Sequence, residues 1–580
     1  MAVVKNLLFR HRLFLSVLLL VVLSLIYLLR SFFGFDWSDE AYYCAVSNRF
    51  LTGDMLFENA WDIHQSGALI TLPLLAFYHL LNRGSNDGIL LLFRLVFIAA
   101  QSLTAFNMFH VLRKRYRITT AFTAAAVYLS FAPFCINSFS YNTLSLLFLT
   151  LSVLLIYHSG TLHRFARTKH FLSGFAFALA VQAYPFVLLT ALAFIGYYFI
   201  KRSTVNKNRL YLFWAGGALT VCLCFALFVY VNSSFLALIN NLPNLLSDPE
   251  HPFTGIPVLL RKLFTIALDI FGYSLYGVVA VTLSALGCSF FRNNKTVAAF
   301  KYILYILCVL LYSILIYRIL SDKALLTTTI NLLTVPLTLI GPALYCLNNR
   351  KHDASVYLYL FGLLYSFSVL LGTNNKLYGS SYALILSAIA VILYCGNLTI
   401  PHNYKLFRSY AGKGVFFCLS ASLLISIGFT RVTQVYRDLP LPYLVQRMDT
   451  GPAKGIYTST ESARKYDEII YAIDLYVPAE GTVFYTALLP FGYLQKDLRP
   501  ATPALWTTPL NSSRLSRYYA LHPELRPDFV MVVNDGYGVH NGNNPFEGEL
   551  AHYLSSGGFK KISLSCGTIY IKERPQAGSP

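Results

Sequence analysis

Six carboxylates crowd into one 27-residue stretch near the start of the chain: Asp36, Asp39, Glu40, Asp54, Glu58 and Asp62. The first 430 positions hold 12 acidic residues in all, so half of them sit here. Carboxylates beside apolar helices are costly to desolvate, and one kept there usually serves as a base, a ligand or the partner of a cation. Asp36, Asp54 and Glu58 are read as solvated loop acids. Ser38-Asp39-Glu40 opens a helical-looking stretch, Ala41 to Phe50. An Asp at a helix start is an ordinary cap, but capping uses one acid and leaves the second for chemistry. His64, with Asp62 or Asp39, offers donors to a divalent metal. One His and unspaced acids do not define a metal site, so no cofactor is expected.

Taken in order, these residues form a longer pattern. Ser38-Asp39-Glu40-Ala41-Tyr42-Tyr43 is followed by Asn48-Arg49-Phe50-Leu51-Thr52-Gly53-Asp54, by Asp62-Ile63-His64, by an apolar run and by Arg94. The pattern resembles the GT-C-fold membrane glycosyltransferases, in particular the group of protein O-mannosyltransferases and the lipid A aminoarabinose transferase (glycosyltransferase family 39-like). The first segment is similar to that group's D-E-x-x-Y motif and the second to its short helix ending in Gly. His64 falls where a His or Lys precedes a Pro pair, and Arg94 where an Arg opens the second span. Gln65-Ser66-Gly67 stands in place of the Pro pair, a departure from the pattern.

The resemblance implies transfer of a sugar from a polyprenyl-phosphate carrier to a glycan, lipid or protein acceptor on the outer face of a bacterial plasma membrane. It casts Asp39 as general base in an inverting displacement, with Glu40 beside it, and Tyr43, Asp62, His64 and Arg94 as substrate-binding residues. Such a donor places its phosphate at headgroup depth, where cations must take the charge developing on the leaving group. The outer cations available are Arg261, Lys262, Arg318 and Lys376. Each could instead snorkel to lipid headgroups. Lys376 is favoured because Gly372-Thr373-Asn374-Asn375-Lys376-Leu377-Tyr378 surrounds it with hydrogen-bonding side chains, Tyr378 included.

The elements that must carry these groups are membrane helices. Of 580 residues, 56% are hydrophobic and 12% charged, far below the charge of a soluble domain. Apolar stretches predict about 13 spans, near 13–33, 89–111, 119–136, 141–158, 171–183, 186–200, 210–231, 265–290, 302–320, 325–346, 355–371, 380–395 and 414–430. With the N-terminus inside, the inner segments carry 22 Lys and Arg against 9 outside, as the positive-inside rule requires. The net charge of +20 is therefore a topology signal and points to membrane lipids rather than nucleic acid. The run Gly67 to Leu81 is short for a span and is read as a helix in the outer interface, within a first outer loop of residues 34–88.

Residues 1–430 thus form the transmembrane unit. Residues 431–580 hold 14 of the 26 acidic residues and apolar runs of strand length, which predicts a small outer-face α/β domain. Thr458 and Glu461 suggest a capping box ahead of a helix over 463–476. Strands are expected over 481–487, 529–534 and 562–572, and a helix over 547–555. No nucleophile elbow or phosphate loop appears there, leaving acceptor binding or a structural cap as its role. Cysteine spacing implies no metal site and no defined disulfide framework. The competing class is a lipid-linked glycan flippase or transporter, which would carry charges inside its spans. Asp269 is the one acid placed within a span, which favours the enzyme.

Overall fold

The computed structural model describes residues 2–159, 165–200, 209–246, 255–270, 272, 295–322, 328–347, 354–373, 377–396, 405–485, 489–506, 513–534 and 549–573. Seven helices open the chain: α1 (Ala2–Arg30), α2 (Asp39–Leu51), α3 (Gln65–Leu81), α4 (Ile89–Leu112), α5 (Ile118–Ser130), α6 (Tyr141–Ser159) and α7 (Ala166–Ala183). Further apolar helices run to Thr433, the last being Lys405–Thr433. The molecule is a polytopic helical membrane protein with a small C-terminal sheet domain. Helices lie under the expected spans, with 265–290 described only as far as residues 270 and 272. Among the described residues six helices are long and apolar enough to cross a bilayer: Phe9–Arg30, Ile89–Leu112, Leu210–Asn232, Ser355–Gly372, Leu377–Gly396 and Lys413–Thr433. Others are shorter than the apolar pattern suggests, because Pro133 and Pro185 turn the chain into 3₁₀ segments where continuous helix was expected.

The bundle is held by close backbone approach and by buried polar pairs rather than by apolar matching, since lipid is as apolar as leucine. A Cβ on Gly174 would sit 1.8 Å from the Trp214 carbonyl oxygen, and one on Gly217 would sit 1.9 Å from that of Phe171. Glycine there lets α7 lie directly on the helix Leu210–Asn232. Between α6 and α7 the Ser152 hydroxyl donates to the Ser173 carbonyl at 2.8 Å, and the Ser173 hydroxyl donates back to Ser152 at 2.9 Å. Arg431, fully buried, donates to the Gln101 side chain at 3.0 Å, to Asn137 at 3.1 Å and to the Leu129 carbonyl, with its guanidinium 4.3 Å from the Tyr27 ring centre.

Helix α3 covers the run Gly67 to Leu81, read from the sequence as an interfacial helix. Just before it, the Leu505 amide donates to Asp62 at 2.8 Å; just after it, Gly88 donates to the Gly451 carbonyl at 3.0 Å and Leu90 to that of Pro452 at 3.2 Å. Both ends therefore meet the C-terminal domain, and α3 lies along one face without crossing. One side packs on α2, where the Ser47 hydroxyl donates to the Ala68 carbonyl at 2.8 Å. Phe77, Leu80 and Leu81 are exposed, as an interfacial helix requires. The end of α1 meets the same domain, through Tyr457 donating to Phe32 and Gly34 donating to Tyr457, both at 2.7 Å.

After Thr433 the chain forms a two-stranded ribbon, β1 (Gln446–Arg447) and β2 (Tyr457–Thr458), then a five-stranded sheet. Its strands are β3 (Thr482–Tyr485), β4 (Arg499–Pro500), β5 (Phe529–Val533), β6 (Phe559–Leu564) and β7 (Gly567–Lys572), in the order β4-β3-β5-β7-β6. β3 is parallel to β4 and β5, whereas β7 runs antiparallel to β5 and β6. Two expectations change. The run 562–572 is two strands, not one, because Ser565-Cys566 forms a tight turn and Gly567 passes so close to β5 that a Cβ would sit 2.2 Å from the Val532 carbonyl oxygen. The helix Thr460–Tyr476 is capped by Ser459, which accepts from the Ser462 amide, while Thr458 pairs in β2. The helix expected over 547–555 is seen as Glu549–Ser556, with 547 and 548 outside the described residues.

Candidate active site

The acidic loop folds into a shell around α2, and its carboxylates divide by burial. Asp36, expected to be solvated, is buried and is the cap of α2: it accepts from the Ser38 amide at 3.1 Å and hydroxyl at 3.2 Å, and from the Glu40 amide at 2.9 Å. Burial pushes its carboxyl up to about 6; charge on Asp39 adds to this and Arg437 opposes it. Asp54, also expected to be solvated, is buried between Arg49 at 2.5 Å and Arg499 at 3.3 Å. The Asp36 contacts are local, whereas sequence distance hides the Arg499 partner of Asp54.

Glu40 points inward from the first turn of α2. Arg94, one turn into α4, grips it with Nε and Nη2, a bidentate charge-assisted pair. The remaining Arg94 donors reach the Ser31 carbonyl at 2.9 Å, that of Gly34 at 2.6 Å and that of Phe33 at 3.4 Å. Burial pushes the Glu40 carboxyl up while the Arg94 fork holds it down. With its donors spent on Glu40 and three carbonyls, Arg94 is a clamp that binds the end of α1 to α2 and α4.

Asp62 and Arg49 make a second buried clamp. Arg49 reaches Asp62 at 2.9 Å, and its other donors meet Asp54, the Asn59 carbonyl at 2.6 Å, the Thr502 carbonyl at 2.7 Å and the Pro503 carbonyl at 3.2 Å. Opposite charges raise the Arg49 guanidinium despite burial; burial raises Asp62 against the pull of Arg49. The Tyr42 hydroxyl also donates to Asp62, at 3.1 Å. This cluster joins the outer loop to the C-terminal domain.

Asp39 is different. Its side chain keeps 21% of its accessible surface, on the first turn of α2 where a helix N-terminus favours negative charge. Its Oδ2 accepts from the Tyr436 hydroxyl and lies 3.3 Å from Arg437 Nη2. Arg437 also donates to the Ser38 hydroxyl, and its guanidinium lies 5.8 Å from the Trp506 ring centre. Trp506 in turn meets Tyr42 edge-on at 5.5 Å.

One turn along α2, Tyr43 joins an aromatic cluster. His64 stacks flat on Tyr141 at 4.0 Å, with Tyr43 6.1 Å and Tyr184 5.4 Å from the same ring. Burial raises the Tyr43 phenol well above its ordinary range. Tyr378 is half-buried, and its carbonyl accepts from Asn331 at 3.1 Å. Arg261 is exposed and Lys262 half-buried on helix 255–270; burial lowers Lys262. Arg318 is exposed and reaches the Gly272 carbonyl at 3.3 Å. None of the contacts of Asp39 given above involves these three cations. Lys376 lies outside the described residues. Among the described residues no group of three or more His, Cys, Asp and Glu side chains converges to hold a metal.

Tyr436, Arg437, Trp506, Arg49, Tyr141 and Tyr184 were not singled out from the sequence. Tyr436 and Arg437 lie nearly 400 positions from Asp39, and no local spacing signals the contact.

No family model matches the chain, and no curated protein does. Its structural neighbours are glycosyltransferases of the GT-C fold. The archaeal oligosaccharyltransferase AglB from Archaeoglobus fulgidus, in complex with an inhibitory peptide and a dolichol-phosphate, superposes with a TM-score of 0.46 at 12% identity, over 97% of this chain and 75% of that one. ArnT from Cupriavidus metallidurans bound to undecaprenyl phosphate gives 0.45 at 14% identity, over 97% and 99% of the two chains. ArnT in the apo state gives 0.42 at 15%. With TM-scores under 0.5, these likenesses assign neither a family nor an activity to the chain.

Proposed function

We propose that the protein transfers a sugar from a polyprenyl-phosphate-linked donor to an acceptor hydroxyl on the face that carries the C-terminal domain, with Asp39 as general base. The observation that carries this reading is the sorting of the loop acids. Asp36, Glu40, Asp54 and Asp62 are buried and committed to a cap or to arginines. Two loop acids stay half-buried, Glu58 and Asp39, and of these Asp39 stands at a helix N-terminus next to the apolar bundle.

In this mechanism Asp39 takes the proton of the acceptor hydroxyl as its oxygen bonds to the anomeric carbon. The bond from that carbon to the phosphate oxygen breaks, and the electron pair leaves on the polyprenyl phosphate. Attack from the face opposite the phosphate inverts the anomeric centre. Half-buried His64 and Tyr141, packed against Tyr43 one turn along α2 from the base, are aromatic groups suited to a sugar ring. The phosphate cation belongs to the set Arg261, Lys262, Arg318 and Lys376, with Lys376 preferred. Residues 1–430 form the catalytic unit and 431–580 the outer-face domain, with the N-terminus cytoplasmic.

The test uses the purified full chain and a panel of undecaprenyl-phosphoryl monosaccharides, following release of free undecaprenyl phosphate. Asp39→Asn keeps the size and hydrogen-bonding shape of the side chain but removes the base, which is typically worth 10²- to 10⁴-fold, and about that loss is expected. Turnover close to wild type in folded Asp39→Asn protein would remove Asp39 from this role.

A further inference from the structure

We propose that Arg437, delivered by the segment that links the last membrane helix to the C-terminal domain, is the positioning residue that holds the Asp39 carboxylate ionised and aimed. The inference rests on Asp39 being the base. Helix Lys405–Thr433 ends four residues earlier, and the chain then turns over the N-terminus of α2. Three contacts place Arg437 there: Nη2 lies 3.3 Å from Asp39 Oδ2, Nη1 donates to Ser38, and the guanidinium faces the rings of Tyr436 at 5.1 Å and Trp506 at 5.8 Å.

The backbone supports the same reading. Arg437 adopts φ = +53°, a left-handed conformation that side-chain-bearing residues rarely take. Such conformations cost free energy and persist where the surroundings require them, often at functional sites. Here the turn lets consecutive side chains, Tyr436 and Arg437, reach the same carboxylate. Glycine would suit the turn but bring no charge.

Electrostatics give the guanidinium a task. Among the ionisable groups facing Asp39 are Asp36 from its own loop, Tyr43 one turn along, and Tyr436 and Arg437 from the linker. Asp36 opposes a negative charge on Asp39, and the Arg437 guanidinium favours it. Tyr436 is raised well above its ordinary range, by burial first and then by Asp39, so it stays a neutral donor. A general base must be ionised before the hydroxyl arrives. Without Arg437, the charge on Asp36 would oppose ionisation of Asp39 with no guanidinium beside it to offset the repulsion.

The experiment follows Asp39 directly and needs no substrate. A water-soluble carbodiimide with glycine amide labels protonated carboxyls, and peptide mass spectrometry of the intact, purified full chain gives the labelling rate of Asp39 against pH. In Arg437→Gln the pH midpoint is expected to rise by about one unit, and Arg437→Lys should restore most of it because the charge survives. Arg437→Gly, which relieves the backbone, should rise as Gln does. A midpoint unchanged from wild type in Arg437→Gln or Arg437→Gly would overturn the inference. The turnover of Asp39→Asn separates the two claims: an inactive Asp39→Asn with an unmoved midpoint sinks the Arg437 pairing alone, whereas an active Asp39→Asn with a shifted midpoint sinks the base and leaves the pairing.

Discussion

Asp39 and Glu40 are neighbours with opposite surroundings, and the difference is one of burial. Glu40 is enclosed with Arg94 as its ion partner, so Glu40→Gln leaves a buried guanidinium facing a neutral amide. Breaking such a pair typically costs about 3–5 kcal/mol, and a fall of that order is expected in the thermal stability of the detergent-solubilised protein. Asp36 tests the same chemistry through pH. Its folded-state pKa, pushed up to about 6, lies above the ordinary carboxylate value, so the folded protein keeps a proton that the unfolded chain has lost. The stabilisation from this group is full below about pH 4 and is lost as pH rises through about 6. Comparing melting temperatures of wild type and Asp36→Asn across that window should show the wild type falling relative to the variant. A constant difference would mean that Asp36 titrates normally.

At the scale of elements, α2 and α3 are placed by polar clamps rather than by apolar fit. Arg49 alone touches Asp54, Asp62 and three carbonyls, two of them in the C-terminal domain. Arg49→Met leaves buried Asp62 without its guanidinium and Asp54 with Arg499 alone, so this variant should expose the linker segment to protease at concentrations that leave the wild type intact. An unchanged digestion pattern would show that the domain is held elsewhere. The contact between α7 and Leu210–Asn232 gives a packing test. Gly174→Leu places side-chain atoms where the Trp214 carbonyl sits, and a loss of folded yield is expected, since overpacking of a tight contact costs about 1–3 kcal/mol or more.

For the whole molecule, the end of α1, both ends of α3, the start of α4 and the linker after Thr433 all meet the C-terminal domain. The basic turn Arg113–Arg117 lies at the far end of α4. An impermeant thiol reagent applied to intact cells should therefore label Lys561→Cys, an exposed position on β6, and spare Lys114→Cys. Cys566 is unsuited to that test, being buried with its Sγ 4.0 Å from the Glu468 carbonyl oxygen. Labelling of Lys114→Cys from outside would reverse the orientation.

The amino-acid sequence by itself determined the class of architecture. Long uncharged runs can be satisfied only as membrane helices, the Lys and Arg bias predicts their orientation, and short continuous β-branched runs such as Phe529–Val533 read as buried strands. It also marked the loop that holds Asp39, because an acid cluster in an acid-poor region is visible without coordinates. Tertiary structure decided which acids are buried and which two, Asp39 and Glu58, stay partly exposed. Burial depends on what packs over a residue: Asp36 and Asp54 look solvated until α2 and Arg499 close on them. It likewise decided that α3 does not cross, since a 17-residue apolar helix is ambiguous by length and its ends had to be located. The partners of Asp39 come from positions 436 and 437, brought across nearly 400 residues by the return of the last helix. A contact made by chain topology leaves no trace in local spacing.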